Sequence, residues 1–171
     1  VMKNVRPRWF SPVPFISTFP EFNVRTYVKK DGISGVFFLT LEAKSMITCS
    51  YATKAYGLPY NYAKGKVVSK DNTVSWHSRR KSGGMGLSGS TTISGPKSRA
   101  QQGSLEEFLF ERYSLYTSKD GSIMRGYTHH EPWEFCSAEV VLTDNSLTES
   151  FDFGIAEHST PDLTHYSDGV Y

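Results

Sequence analysis

The sequence predicts an α+β domain built mainly from antiparallel strands, and three observations lead there. Eleven Phe and ten Tyr in 171 residues favour strands, where aromatic side chains pack well on a half-buried pleated surface. The stretch from Phe19 to Val28 alternates strictly after Pro20, with Asn23, Arg25 and Tyr27 on one side and Val24, Thr26 and Val28 on the other, as period-two side chains do in a strand. Finally, Asp31-Gly32, Asp71-Asn72 and Lys119-Asp120-Gly121 each fall between strand-like runs, which is the chemistry of hairpin turns.

In chain order, Pro7, Pro12, Pro14 and Pro20 keep residues 1–22 extended, because proline fixes φ and lacks an amide proton. Residues 23–30 make the opening strand and Gly35–Glu42, apolar on both faces, its central partner. Ser45 opens a helix with Ile47, Tyr51 and Ala55 on one stripe, and Gly57 followed by Pro59 closes it. Tyr62–Lys70 and Thr73–Arg80 form a second hairpin whose core contributors are Val68, Val74 and Trp76. Residues 81–90 read as a flexible Gly/Ser tip and Thr91–Ser94 as a short returning strand. Ser104 and Glu107 make a capping box for a short helix bearing Leu105, Phe108 and Leu109. Strands follow at Arg112–Thr117 and Ile123–His130, Pro132 breaks the pairing, and Ala138–Thr143 is another strand. The polar remainder, 144–171, reads as loop with an edge strand near Thr164–Tyr166. There is no internal repeat and no domain boundary.

Composition narrows the function classes. A net charge of +2 is too small to make nucleic acid or an anionic membrane the expected partner, and Arg79, Arg80 and Lys81 read as a solvated strand end. No run approaches the roughly 20 apolar residues of a membrane span. Two cysteines, Cys49 and Cys136, are few for a disulfide scaffold, so free thiols and a cytoplasmic location are expected.

The motif search yields no cofactor and no metal. Gly84-Met85-Gly86-Leu87-Ser88-Gly89 matches the dinucleotide fingerprint in letters, yet a basic strand end precedes it and strand-like residues follow, where a buried strand and a helix are needed. His129 and His130 are adjacent on a strand and face opposite ways, so they do not converge on one ion. His130, before Glu131-Pro132-Trp133, is the candidate proton carrier. Tyr27, Tyr60, Tyr62, Tyr113 and Tyr116 lie on or beside strands, and a buried tyrosine needs a partner for its hydroxyl; Arg25 and Arg112 can serve.

Several phrases carry a resemblance: Phe19-Pro-Glu-Phe-Asn-Val-Arg-Thr-Tyr-Val28, Tyr56-Gly-Leu-Pro-Tyr60, Gly103-Ser-Leu-Glu, Glu111-Arg-Tyr-Ser-Leu-Tyr-Thr117, His130-Glu-Pro-Trp133 and Leu163-Thr-His-Tyr-Ser-Asp-Gly-Val170. In this order the chain resembles the YqjF-like uncharacterised family, a domain of unknown function placed with the acetoacetate decarboxylase-like proteins. The resemblance implies a strongly bent sheet closing into a cone-like barrel, with short outer helices and a pocket within. It also implies a single domain over 1–171 whose N-terminal and C-terminal segments are missing. The decarboxylases form a Schiff base through a lysine after a Tyr-Pro pair; here the corresponding phrase is Leu58-Pro59-Tyr60-Asn61, without that lysine, so this chemistry is not carried over.

The expected function is a small-molecule-binding barrel, with an enzyme acting on a small carbonyl, anionic or aromatic compound as its catalytic form. Asn23, Arg25, Tyr60, Tyr113, His130 and Trp133 are expected around the pocket. Arg25, expected to be buried, holds an anionic or carbonyl oxygen, Tyr60 and Tyr113 donate hydrogen bonds, His130 moves a proton and Trp133 is an apolar wall. The alternatives are a Schiff-base lyase using Lys64, and a non-catalytic interaction module acting through the Gly/Ser loop.

Overall fold

A computed structural model describes residues 1–3, 17–154 and 160–170. Its strands are β1 (Glu21–Lys30), β2 (Ile33–Ala43), β3 (Tyr60–Lys70), β4 (Thr73–Arg80), β5 (Gly86–Arg99), β6 (Ser114–Lys119), β7 (Ser122–Tyr127), β8 (Glu134–Asp144) and β9 (His165–Tyr166). The helices are α1 (Met46–Tyr56), α2 (Leu105–Phe110) and α3 (Ser146–Glu149). The fold is mainly β, in one mixed sheet of order β7-β6-β2-β3-β4-β5-β8-β9, with β1 branching from β2.

The hairpins form where the turn chemistry puts them. Asp31 and Gly32 (φ 51° and 79°) and Asp120 and Gly121 (φ 52° and 74°) are left-handed at both positions, the twist that joins two antiparallel strands tightly. Strand β2 is the junction. It pairs antiparallel with β1 along its length, parallel with β6 at Val36 and Phe37, and parallel with β3 from Leu41 to Ala43. Between Val24–Thr40 and Arg25–Phe38 the register skips Leu39, and a bulge of this kind bends the strand where its two parallel neighbours diverge.

Residues opposite one another share a face, so Phe22, Val24, Thr40, Glu42, Asn61, Ala63 and Arg80 lie on one side of the sheet. That side is buried and contains a charge. Glu42 is 1% exposed and accepts from Arg80 Nε at 3.2 Å and Arg80 Nη2 at 2.5 Å, while Thr40 Oγ1 accepts from Arg80 and from Asn61 Nδ2, each at 3.0 Å. Arg80 is therefore not part of a solvated strand end; alternation turns it inward while Arg79 stays outside, paired with Asp144. On the opposite side Lys64, Lys66 and Val68 are all exposed, so Val68 is not a core residue.

Three further expectations change. The stripe of α1 carrying Ile47 and Tyr51 faces outward, and the small side chains Cys49 and Ala52 face the sheet, because small residues let the helix lie close to β2 and β3. Strand β5 runs from Gly86, not Thr91: a side chain at Gly86 would strike Asp144, and one at Gly89 would strike Val141 and Trp76. Two of the fingerprint glycines, Gly86 and Gly89, thus serve close strand packing, while Gly84 is left-handed at φ 67° in the loop before β5. The sheet is not closed into a barrel among the described residues: β1 has β2 as its strand partner, and β7 and β9 end the sheet. Cys49 and Cys136 are buried free thiols. Among the described residues no helix is long and apolar enough to cross a membrane.

Candidate functional site

A cavity of about 180 Å³ lies where β1, the end of α2, the start of β8 and β9 meet, lined by Arg25, Phe110, Trp133, Phe135, His165, Tyr166 and Ser167. Arg25 enters from β1 immediately after the bulge. Phe110 closes α2, whose N-cap Ser104 accepts from Glu107 N at 3.2 Å. The short β9 is pinned to β8 by the pairs Cys136–Tyr166 and Ser137–His165, by Ser167 Oγ donating to Glu134 O at 2.5 Å and by the Lys97–Asp168 ion pair at 2.5 Å.

Three rings wall the cavity edge to face: Phe110–Phe135 at 4.9 Å, Phe110–His165 at 5.2 Å and Phe135–His165 at 4.7 Å between centroids. This tilted arrangement places ring edges on ring faces. Arg25 is exposed, contrary to expectation, because β1 pairs on one side with β2 and is not a central strand. Its guanidinium lies 5.7 Å from the Tyr27 ring centroid and reaches Leu109 O at 3.5 Å. Among the described residues it has no carboxylate partner, and a guanidinium opening on a cavity without one is a ready anchor for an anion.

Next to this cavity Tyr113 stacks on His130 at 4.7 Å, and His130 meets Trp133 edge-on at 5.7 Å. Glu111 joins them: Oε2 accepts from Tyr113 OH at 2.5 Å and Oε1 from Trp133 N at 3.0 Å. That hydrogen bond first, and burial after it, push the Tyr113 phenol up to about 12, so it stays a donor. Four expected site residues, Arg25, Tyr113, His130 and Trp133, are thus brought to one end of the sheet.

Asn23 and Tyr60 belong elsewhere. Tyr60 donates to Glu21 Oε2 at 2.6 Å and packs on Phe19, Ala43 and Cys49, while Asn23 also bonds the Glu21 carboxyl. Burial raises Glu21 above its ordinary value despite these two bonds. Burial, with the neighbouring Glu21 carboxylate, also raises Tyr60, and burial followed by Glu42 raises the Cys49 thiol. Lys64 is exposed beside Lys66.

Sequence reasoning missed His165 and Glu106. His165 Nε2 lies 3.8 Å from Glu106 Oε1, with side chains 13% and 30% exposed. The phrase Leu163–Val170 contained the signal, but nothing local joins an edge-strand histidine to a helix far back in the chain. Among the described residues no three His, Cys, Asp or Glu side chains converge as a metal site.

Comparison with known proteins gives the family and no activity. The whole chain, residues 1–171, matches DUF2071, described as an uncharacterised conserved protein. It is 31% identical over 169 residues to the uncharacterised protein YqjF of Bacillus subtilis (strain 168), covering 98% of this chain and 69% of that protein. The chain belongs to this family.

Proposed function

We propose that this member of an uncharacterised family binds a small, flat, anionic molecule in the cavity between β1, α2, β8 and β9. The observation that carries the reading is the Arg25 guanidinium, without a carboxylate partner among the described residues, on a cavity walled by Phe110, Trp133, Phe135 and His165. A volume of about 180 Å³ corresponds to roughly six water molecules at ~30 Å³ each, which suits one ring with one charged group. Arg25 holds the anion, the aromatic walls hold the ring, and Tyr113, His130 and Glu111 fix Trp133 from behind. Asn23 and Tyr60 have no part in this site.

The sheet supports a wider reading as well. Arg25 on β1 and His165 on β9 reach one cavity, so two edges of the sheet approach, as in the cone-like barrel of the acetoacetate decarboxylase-like proteins. A Schiff-base role for Lys64 loses support, since Lys64 is exposed beside Lys66 and does not line the cavity. The interaction-module alternative keeps a shorter loop, residues 81–85, because residues 86–90 are strand. Two buried free thiols support a cytoplasmic location.

Benzoate is the test. Titration followed by the Trp133 indole resonance shows a saturable shift, and Arg25→Gln weakens binding tenfold or more, since a hydrogen bond to a charged group contributes about 1.5–3 kcal/mol. No shift at any indole or cavity-lining resonance overturns the binding reading.

A further inference from the structure

We infer that the cavity is catalytic, with His165, beside the Glu106 carboxylate, acting as a general base that removes a proton from the carbon next to a carbonyl held at Arg25. The inference rests on the binding reading above and goes beyond it by naming a reaction class. Three observations carry it. His165 and Arg25 line the same cavity. His165 is 13% exposed, its ring fixed between Phe110 and Phe135, and its Nε2 faces Glu106 Oε1 at 3.8 Å. The other charged groups nearby are engaged with one another: Asp168 with Lys97 and Tyr166, Glu134 with Arg99, Glu111 with Tyr113 and Trp133.

A base with a carboxylate beside it, together with a cation for developing negative charge, is the minimum apparatus for abstracting a carbon-bound proton. A neutral imidazole keeps one ring nitrogen with a free lone pair, and that nitrogen is the base; Glu106, 3.8 Å from Nε2, acts on the ring as a nearby negative charge. The C–H bond breaks and its proton passes to the imidazole. Its electron pair forms the C=C bond of an enolate, whose oxygen charge Arg25 stabilises, while the Glu106 carboxylate stabilises the imidazolium. Return of a proton to carbon restores the starting materials, so the cycle needs no oxidant, metal or second substrate. The substrate class is a short 2-oxo acid or a related carbonyl compound with an acidic neighbouring C–H.

The experiment follows 2-oxobutanoate in D₂O by proton NMR and measures loss of the C3 protons between about pH 6 and 9. The wild-type protein exchanges them faster than protein-free buffer throughout this range. His165→Gln lowers the rate about a hundredfold or to background, because general-base catalysis contributes about 10²–10⁴. Glu106→Gln lowers it about tenfold and Glu106→Asp restores most of the loss, because the negative charge beside the imidazolium returns; a purely structural glutamate is replaced by Gln at least as well as by Asp. Wild-type exchange at the buffer rate, with benzoate still shifting Trp133, overturns catalysis and leaves binding standing; silence in both assays overturns both. Exchange undiminished in His165→Gln or His165→Asn also overturns the proposal. Should both histidine variants fail to fold, Glu106 decides: Glu106→Gln exchanging as fast as wild type or as Glu106→Asp overturns it.

Discussion

Glu42 and Arg80 show what a buried charge does to a small protein. Glu42 is 1% exposed on its side chain and Arg80 15%, so both ions have lost much of their hydration, and their attraction and hydrogen bonds offset that loss. Deleting one partner strands the other: Arg80→Leu destabilises the protein by about 3–5 kcal/mol, whereas Glu42→Leu with Arg80→Leu recovers most of the loss. Urea unfolding of the three proteins checks this, and a double variant as unstable as Arg80→Leu contradicts it. Glu21 behaves in the opposite sense to a carboxylate held by a cation. Burial raises its pKa above 4.5 against the Tyr60 and Asn23 hydrogen bonds. Between 4.5 and that raised value the folded protein keeps a proton that the unfolded chain has released, so stability falls as pH rises through this window and is level beyond it. Glu21→Gln removes the slope while leaving Tyr60 an acceptor. Unfolding free energies measured across the window therefore fall more steeply for wild type than for the variant; parallel curves refute the assignment.

Helix α1 shows which features of an element can be read locally. Its ends are written in the sequence: Ser45 accepts from Thr48 N at 3.2 Å, and Gly57 N, at φ 67°, bonds Thr53 O at 3.1 Å. Its buried face is not, because the apolar residues Ile47 and Tyr51 lie outward and two small residues make the contact with the sheet. Gly57 also has a tertiary constraint, since a Cβ there would come 2.9 Å from Lys119 Cβ and 3.0 Å from Ser118 O. Gly57→Ala combines left-handed strain of about 1–2 kcal/mol with that contact, and the expected loss is about 2–4 °C in Tm per kcal/mol for a domain of this size. An unchanged Tm contradicts the close approach of β6 to the helix end. The hairpins were legible for the same local reason as the caps, through aspartate and glycine at left-handed positions. Strand β5 was not, because its Gly, Ser and Thr residues have little strand preference of their own and are extended by pairing with β4 and β8.

At the scale of the whole molecule, the mainly β character was legible, the parallel pairings of β2 and the open sheet were not, and the grouping of the site residues was legible in part. Alternation places Asn23 and Arg25 on one face of β1, but the bulge at Leu39 and the fork of β2 give them different neighbours, so Arg25 lines the cavity it shares with Trp133 while Asn23 meets Glu21. His165 and Glu106 come together through pairing of β9 with β8, which no local pattern encodes. The fork also predicts how the molecule opens. Strand β2 is held by β1, β3 and β6, and Gly35, Val36 and Thr40–Ala43 are buried; Leu41 N is further bonded to Pro59 O at 3.1 Å. Strand β7, by contrast, pairs with β6 at the end of the sheet and exposes Ile123 and Tyr127, 61% and 76% respectively. Opening β7 breaks one ladder and uncovers little apolar surface; opening β2 separates three ladders and the buried ion pair together. Amide exchange tracks the free energy of the opening that frees each proton. The amides of Val36, Leu41, Glu42 and Ala43 therefore exchange through global unfolding, with the denaturant dependence of the whole protein. Those of Ser122–Tyr127 exchange orders of magnitude faster, with little denaturant dependence. Native-state exchange by mass spectrometry or NMR separates the two groups, and β2 amides exchanging as fast as those of β7 rule out β2 as the last element to open.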